Sequence, residues 1–151
     1  MKIGVLSDTH IHTPEELHPE IIMAFSSVDL IVHAGDFVGL AVLEGLRNMG
    51  EVKAVRGNVD SIRLRGLLLE KELLEVDSKR IGVIHGWGGP EGIERRIREK
   101  FNKVDAIIYG HSHQAQNRKL NGVLFFNPGP GRESFGILTI GKDIRGEIIM
   151  I

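Results

Sequence analysis

The 151-residue chain has no cysteine. Neither a disulfide framework nor a thiolate metal site is available, so any metal must be held by nitrogen and oxygen donors. Glutamine is nearly missing as well: only Gln114 and Gln116 occur, a scarcity in the direction of thermophile composition. No apolar run is long enough to cross a bilayer, and Ile3-Gly4-Val5-Leu6 is too short for a signal peptide and passes at once into Ser7-Asp8. Cytoplasmic residence is the expectation. Neither sign of charge is in excess: 19 Lys and Arg stand against 20 Asp and Glu, which removes the electrostatic reason to expect long nucleic acid as a partner.

What is present is the composition of a globular protein, 42% apolar and 26% charged. Residues 1–151 have the size of one ordinary domain, and no linker or repeat divides them. Lys2 to Ser7, Leu30 to His33, Val52 to Val55 and Ala106 to Tyr109 read as short buried strands. Pro14 to about Ser26 reads as a loop and helix opened by Thr13. Leu40, Leu43, Leu46 and Met49 mark one face of a helix ended by Gly50, and Ile93, Ile97 and Phe101 mark another within Glu91 to Phe101. Hairpins follow from Leu67 onward: Leu73 to Val76 with Arg80 to His85, then Gln116 to Leu120, Val123 to Asn127, Phe135 to Ile140 and Ile144 to Ile151 around Asn121-Gly122 and Gly141-Lys142. Strand-helix-strand units followed by hairpins predict an α/β fold, a layered α/β/β/α sandwich of two packed sheets flanked by helices.

Five short strings stand where predicted strands end: Asp8-Thr9-His10, Gly35-Asp36, Gly57-Asn58, His85-Gly86 and Gly110-His111-Ser112-His113. Open α/β sheets bind ligands at that edge. Residues two apart leaving a strand can both turn toward one ion, as Asp8 with His10 and His111 with His113. Asp36 is the expected bridge, since one carboxylate can bind two cations and offset their repulsion. Asn58 adds a neutral carbonyl oxygen and His85 an imidazole. Mixed imidazole and oxygen donors favour Mn²⁺, Fe²⁺, Ni²⁺ or Zn²⁺ over Ca²⁺ or Mg²⁺. Two ions roughly 3.5–4 Å apart would ionise a bridging water, and their surplus positive charge would bind a phosphate oxyanion. Singly, each string is also ordinary turn or cap chemistry; their joint order is what points to metal.

In that order the motifs resemble the calcineurin-like metallophosphoesterase superfamily, and more closely its small bacterial and archaeal phosphodiesterase branch, over nearly the whole chain. The resemblance implies two divalent ions, Mn²⁺ the first choice. It places Asp8, His10, Asp36 and His113 on the first and Asp36, Asn58, His85 and His111 on the second. Asp8, Asp36, Asn58 and His111 are the catalytic set. The implied activity is hydrolysis of a small phosphodiester by a hydroxide bridging the ions, with no membrane partner and with a homo-oligomer left open. Asn127-Pro128-Gly129 resembles a late loop of the family, but Pro130-Gly131 follows where relatives often carry Ser-Pro, so that loop stays outside the catalytic list. Many members also have His after the motif Asn, where it can protonate the leaving alkoxide; here Val59 stands in Gly57-Asn58-Val59-Asp60 and cannot.

The other histidines have duller readings: His12 in a loop, His18 on a helix surface, His33 beside Asp36. Arg56 and Arg132 read as surface charges, and Glu94 to Lys100 as a solvated helix face. Trp87 with Gly86, Gly88 and Gly89 reads as a wall of the site. Two competing functions remain: a non-catalytic interaction scaffold, as a eukaryotic retromer subunit of this fold is, and a nucleotide hydrolase or nuclease. Relatives acting on long nucleic acid carry extra or capping segments for which this chain has no room.

Overall fold

The computed structural model describes all residues, Met1–Ile151. Its elements are β1 (Lys2–Leu6), a 3₁₀ turn (Pro14–Glu16), α1 (Pro19–Phe25), β2 (Leu30–His33), α2 (Leu40–Met49), β3 (Val52–Ala54), α3 (Ile62–Leu67), β4 (Lys71–Val76), β5 (Lys79–Ile84), α4 (Ile93–Arg98), β6 (Ala106–Ile108), β7 (Gln116–Leu120), β8 (Val123–Asn127), β9 (Ser134–Ile140) and β10 (Ile144–Met150). No helix is long and apolar enough to cross a membrane.

Two five-stranded sheets form, ordered β10-β9-β1-β2-β3 and β4-β5-β6-β8-β7. In the first, β1, β2 and β3 are parallel, with Leu6 opposite His33 and His33 opposite Ala54. In the second, β5, β6 and β8 are parallel, with Val83 opposite Ile108 and Ile108 opposite Phe126. Antiparallel strands complete both sheets. Parallel strands are buried on both faces, which is why Leu30–His33 and Ala106–Ile108 are unbroken apolar runs apart from His33.

Ile3, Val5, Val32, Val83, Ile108 and Phe126 pack between the sheets. Ile21 and Phe25 of α1 and Val42, Leu43 and Leu46 of α2 cover the outer face of the first sheet. Ile93 and Ile97 of α4 cover the second, against Ile107, Tyr109 and Phe125. Each such side chain contributes about 1.5–3 kcal/mol relative to exposure. The layers are therefore α/β/β/α, as the sequence predicts.

Three differences from the expected elements have a local cause. Pro14 to Ser26 divides at His18, whose side chain caps α1 by accepting from the Glu20 amide. α4 begins only at Ile93, because Gly92 stands at φ 75, outside helical space. The short helix α3 was not expected; the Ser61 hydroxyl caps it by accepting from the Leu64 amide.

Candidate metal centre

The ends of β1, β2 and β3 and those of β5 and β6 open onto one rim, where backbone bonds lock the following loops together. Asp8 N–H donates to the Gly35 carbonyl at 2.9 Å, His10 N–H to Asp36 at 3.1 Å, and Gly110 N–H to His85 at 3.1 Å. Asp8, His10, Asp36, His111 and His113 all take left-handed backbone, at φ 51, 48, 62, 70 and 57. L side chains there cost about 1 kcal/mol or more each, so the surrounding bonds hold these donors where an unconstrained loop would not.

Each carboxylate has one oxygen used by the protein and one aimed inward. Asp8, 1% exposed, accepts from the Ser7 hydroxyl (2.7 Å) and the His111 amide (3.0 Å) through Oδ2. Its Oδ1 faces Nε2 of His113 at 3.3 Å, of His85 at 3.8 Å and of His10 at 3.9 Å. Asp36 accepts from the Val59 amide through Oδ1 at 2.9 Å, while Oδ2 lies 3.2 Å from His85 Nε2 and 3.6 Å from His10 Nε2. Asp8 Oδ1 and His10 Nε2 are buried without any hydrogen-bond partner.

The imidazole orientations are fixed from behind. His85 Nδ1 lies 2.7 Å from the Ala34 carbonyl, which can only accept, so Nδ1 carries the hydrogen and Nε2 points its lone pair at Asp36 and at Asn58 Oδ1, 3.1 Å away. A lone pair against a carboxylate repels unless a proton or a metal ion lies between. Accordingly, although burial pulls the His85 pKa down, the hydrogen bond to Asp36 and the charges of Asp36 and Asp8 hold it above the ordinary value. Burial likewise pushes Asp36 up, but the His85 bond and charge, with the Val59 amide, leave it below the carboxylate norm. His111 Nε2 lies 3.0 Å from the Gly88 carbonyl, so its other ring nitrogen is the one free for an ion.

Donor atoms of Asp8, His10 and His113 fall within 4.8 Å of one another, as do those of Asp8, Asp36 and His85. Asn58 joins the second group through His85, and His111 stands beside it with ring centroids 5.2 Å apart. All seven residues singled out from sequence line the same rim. Orphaned carboxylate and imidazole atoms, convergent and free of thiolate, fit divalent cations of intermediate hardness.

Two residues outside that set hold it in place. Asp60, 4% exposed, accepts from the backbone amides of Phe37 (2.7 Å), Val38 (3.0 Å), Asp36 (3.0 Å) and Gly57 (2.7 Å). One carboxylate thus staples the Asp36 loop to the Gly57-Asn58 loop, including Val38 at φ 89. Gly57 is required there, because a Cβ would run into Asp36 Oδ1 and the Asp36 amide. Asn127 donates from Nδ2 to the Gly110 carbonyl (3.3 Å) and the Ser112 hydroxyl (3.1 Å), bracing the turn that carries His111. In sequence both look like turn residues; a carboxylate three after the loop glycine and an amide closing a strand were the available signals.

The remaining expectations divide. His33 is fully buried, stacked on Phe37 at 3.6 Å between ring centroids, and accepts from the Gly35 amide through Nδ1. Burial, with His85 nearby, drops its pKa to about 3, so it is neutral. His12 and Arg132 are exposed, and Arg132 donates to the His10 carbonyl. Val59 is 43% exposed and serves the site only through its amide.

The calcineurin-like phosphoesterase superfamily domain matches residues 1–139. The chain belongs to this superfamily. It is 38% identical over 133 residues to a probable metallophosphoesterase, MJ0623, of Methanocaldococcus jannaschii, covering 85% of this chain and 67% of that one. It is 30% identical to the phosphodiesterase MJ0936 of the same organism, covering 99% of both chains. Among solved structures, an archaeal phosphodiesterase matches over 100% of each chain at 29% identity and TM-score 0.81. Vps29 of Entamoeba histolytica, in a zinc complex, matches 99% of each chain at 22% identity and TM-score 0.75, a likeness of fold alone. Superfamily membership and the donor cluster therefore coincide in one chain.

Proposed function

We propose that this phosphoesterase is a phosphodiesterase using two divalent ions, Mn²⁺ first among them, with Asp36 shared between the sites. The observation that carries the reading is Asp8 Oδ1 and His10 Nε2, both buried with no hydrogen-bond partner, beside Asp36 Oδ2, which faces the imidazoles of His10 and His85. Asp8, His10, Asp36 and His113 would hold one ion; Asp36, Asn58, His85 and His111 the other. Bound there, the ions supply Lewis acidity toward the phosphoryl oxygens and toward water.

The chain's own residues do the rest. Ala34 and Gly88 carbonyls set the ring orientations of His85 and His111. Asp60 fixes the two loops that carry Asp36 and Asn58, so the donors need not reorganise as charge builds on the phosphoryl group. Val59 offers no proton to the departing alkoxide. The rate should therefore fall steeply as the leaving-group pKa rises across a series of aryl phosphodiesters assayed with Mn²⁺, nitrophenyl esters being much the fastest. A flat series would contradict the missing acid. A pure scaffold is disfavoured because every donor position carries a competent ligand.

A further inference from the structure

Beside the donor cluster lies a cavity of about 290 Å³ lined by Arg56, Asn58, Arg65, Glu70, His85 and Trp87, among others. Asn58 and His85 belong both to its lining and to the donor cluster, so the cavity adjoins the metal centre. We propose that the cavity is a subsite for a second anionic group of the substrate, received by Arg56 and Arg65. The substrate class is then a small phosphodiester with a further phosphate on one ester arm. This deepens the phosphodiesterase reading and rests on it for the reacting group.

Arg56 follows β3, is half-buried, and spends only Nη1 on the protein, donating to the Leu68 carbonyl at 3.2 Å. That bond fixes the guanidinium and leaves its other donors to meet an oxyanion bidentately. Arg65 lines the same cavity from α3. The one lining carboxylate, Glu70, is exposed, so its charge is screened by solvent, with Lys100 Nζ 3.9 Å from its Oε1. Trp87, 40% exposed, supplies an apolar wall for the carrier. The volume sits at the small end of ligand pockets, which begin at roughly 300 Å³, and suits a phosphate on a short carbon chain rather than a nucleoside.

Trp87 is the chain's single tryptophan, so its fluorescence reports on this cavity. Metal-free protein titrated with inorganic pyrophosphate should show a saturable change in Trp87 emission, with affinity about tenfold weaker in Arg56→Gln and in Arg65→Gln. No saturable change, or the same affinity in both variants, overturns the proposal. Arg65 is on an exposed helix face, so its variant stays informative if Arg56→Gln fails to fold. With Mn²⁺ added, p-nitrophenyl 2-phosphoethyl phosphate should be preferred to p-nitrophenyl ethyl phosphate through a lower KM, and either substitution should cut that preference about tenfold. Arg-dependent pyrophosphate binding without hydrolysis of either ester would leave the subsite standing and remove the phosphodiesterase reading. Hydrolysis of both esters without an Arg-dependent preference would do the reverse.

Discussion

At the scale of single residues, Asp60 and His33 carry the most weight beyond the donors. Asp60→Ala leaves the amides of Asp36, Phe37, Val38 and Gly57 without their acceptor. We expect a loss of at least about 3 kcal/mol in urea denaturation, because charge-assisted bonds are worth roughly 1.5–3 kcal/mol each. Metal affinity should fall at least about tenfold. A loss below about 1 kcal/mol, the scale of an ordinary surface change, would mean the four bonds do not hold the loops. His33 gives a pH dependence. Its folded pKa, about 3, lies below the ordinary 6.5, so between those values the unfolded chain holds a proton that the native one does not. Native stability from this group is complete above 6.5 and declines as pH falls toward 3, by about 1.4 kcal/mol per pH unit. Denaturation of metal-free wild type and His33→Gln across that window should show the wild type losing stability more steeply as pH falls, the variant lacking that extra slope; parallel curves would remove His33 as its source.

At the scale of elements, the loop from His85 to α4 shows a device hidden from sequence. The arginine-rich run on α4 reads as a solvated face, yet Arg96 turns back and donates to the carbonyls of Trp87 (3.0 Å), Gly89 and Glu91 (3.0 Å). It pins the glycine loop whose Gly88 carbonyl partners His111. Arg96→Gln should speed amide exchange across residues 86–92 and lower hydrolysis about tenfold, with Ile107 and Ile108 in β6 still protected. Unaltered exchange in the loop would show that the anchor is dispensable. The donor strings were legible because each sits where an apolar strand meets turn chemistry. Arg96 left no signature, since its partners are backbone carbonyls whatever side chains they carry, and Asp60 left only its place three after the loop glycine. α3 escaped for a related reason: of Ile62, Leu64 and Leu67 only Leu64 is buried, too little periodicity to mark a face.

At the scale of the whole molecule, the fold makes the site by bringing two parallel triplets, β1-β2-β3 and β5-β6-β8, to one rim with their carboxyl ends together. The alternation of strands and helices announced the layers. It did not announce strand order, which follows from how the apolar faces of Ile3, Val32, Val83 and Ile108 close on each other. The central claim is that this rim holds a pair of ions through Asp36. Its most direct test is metal content per chain after loading with Mn²⁺ and gel filtration, measured for wild type and Asp36→Asn. The account predicts two ions per wild-type chain and loss of both in the variant. One ion or none in the wild type, or two retained by Asp36→Asn, would contradict it.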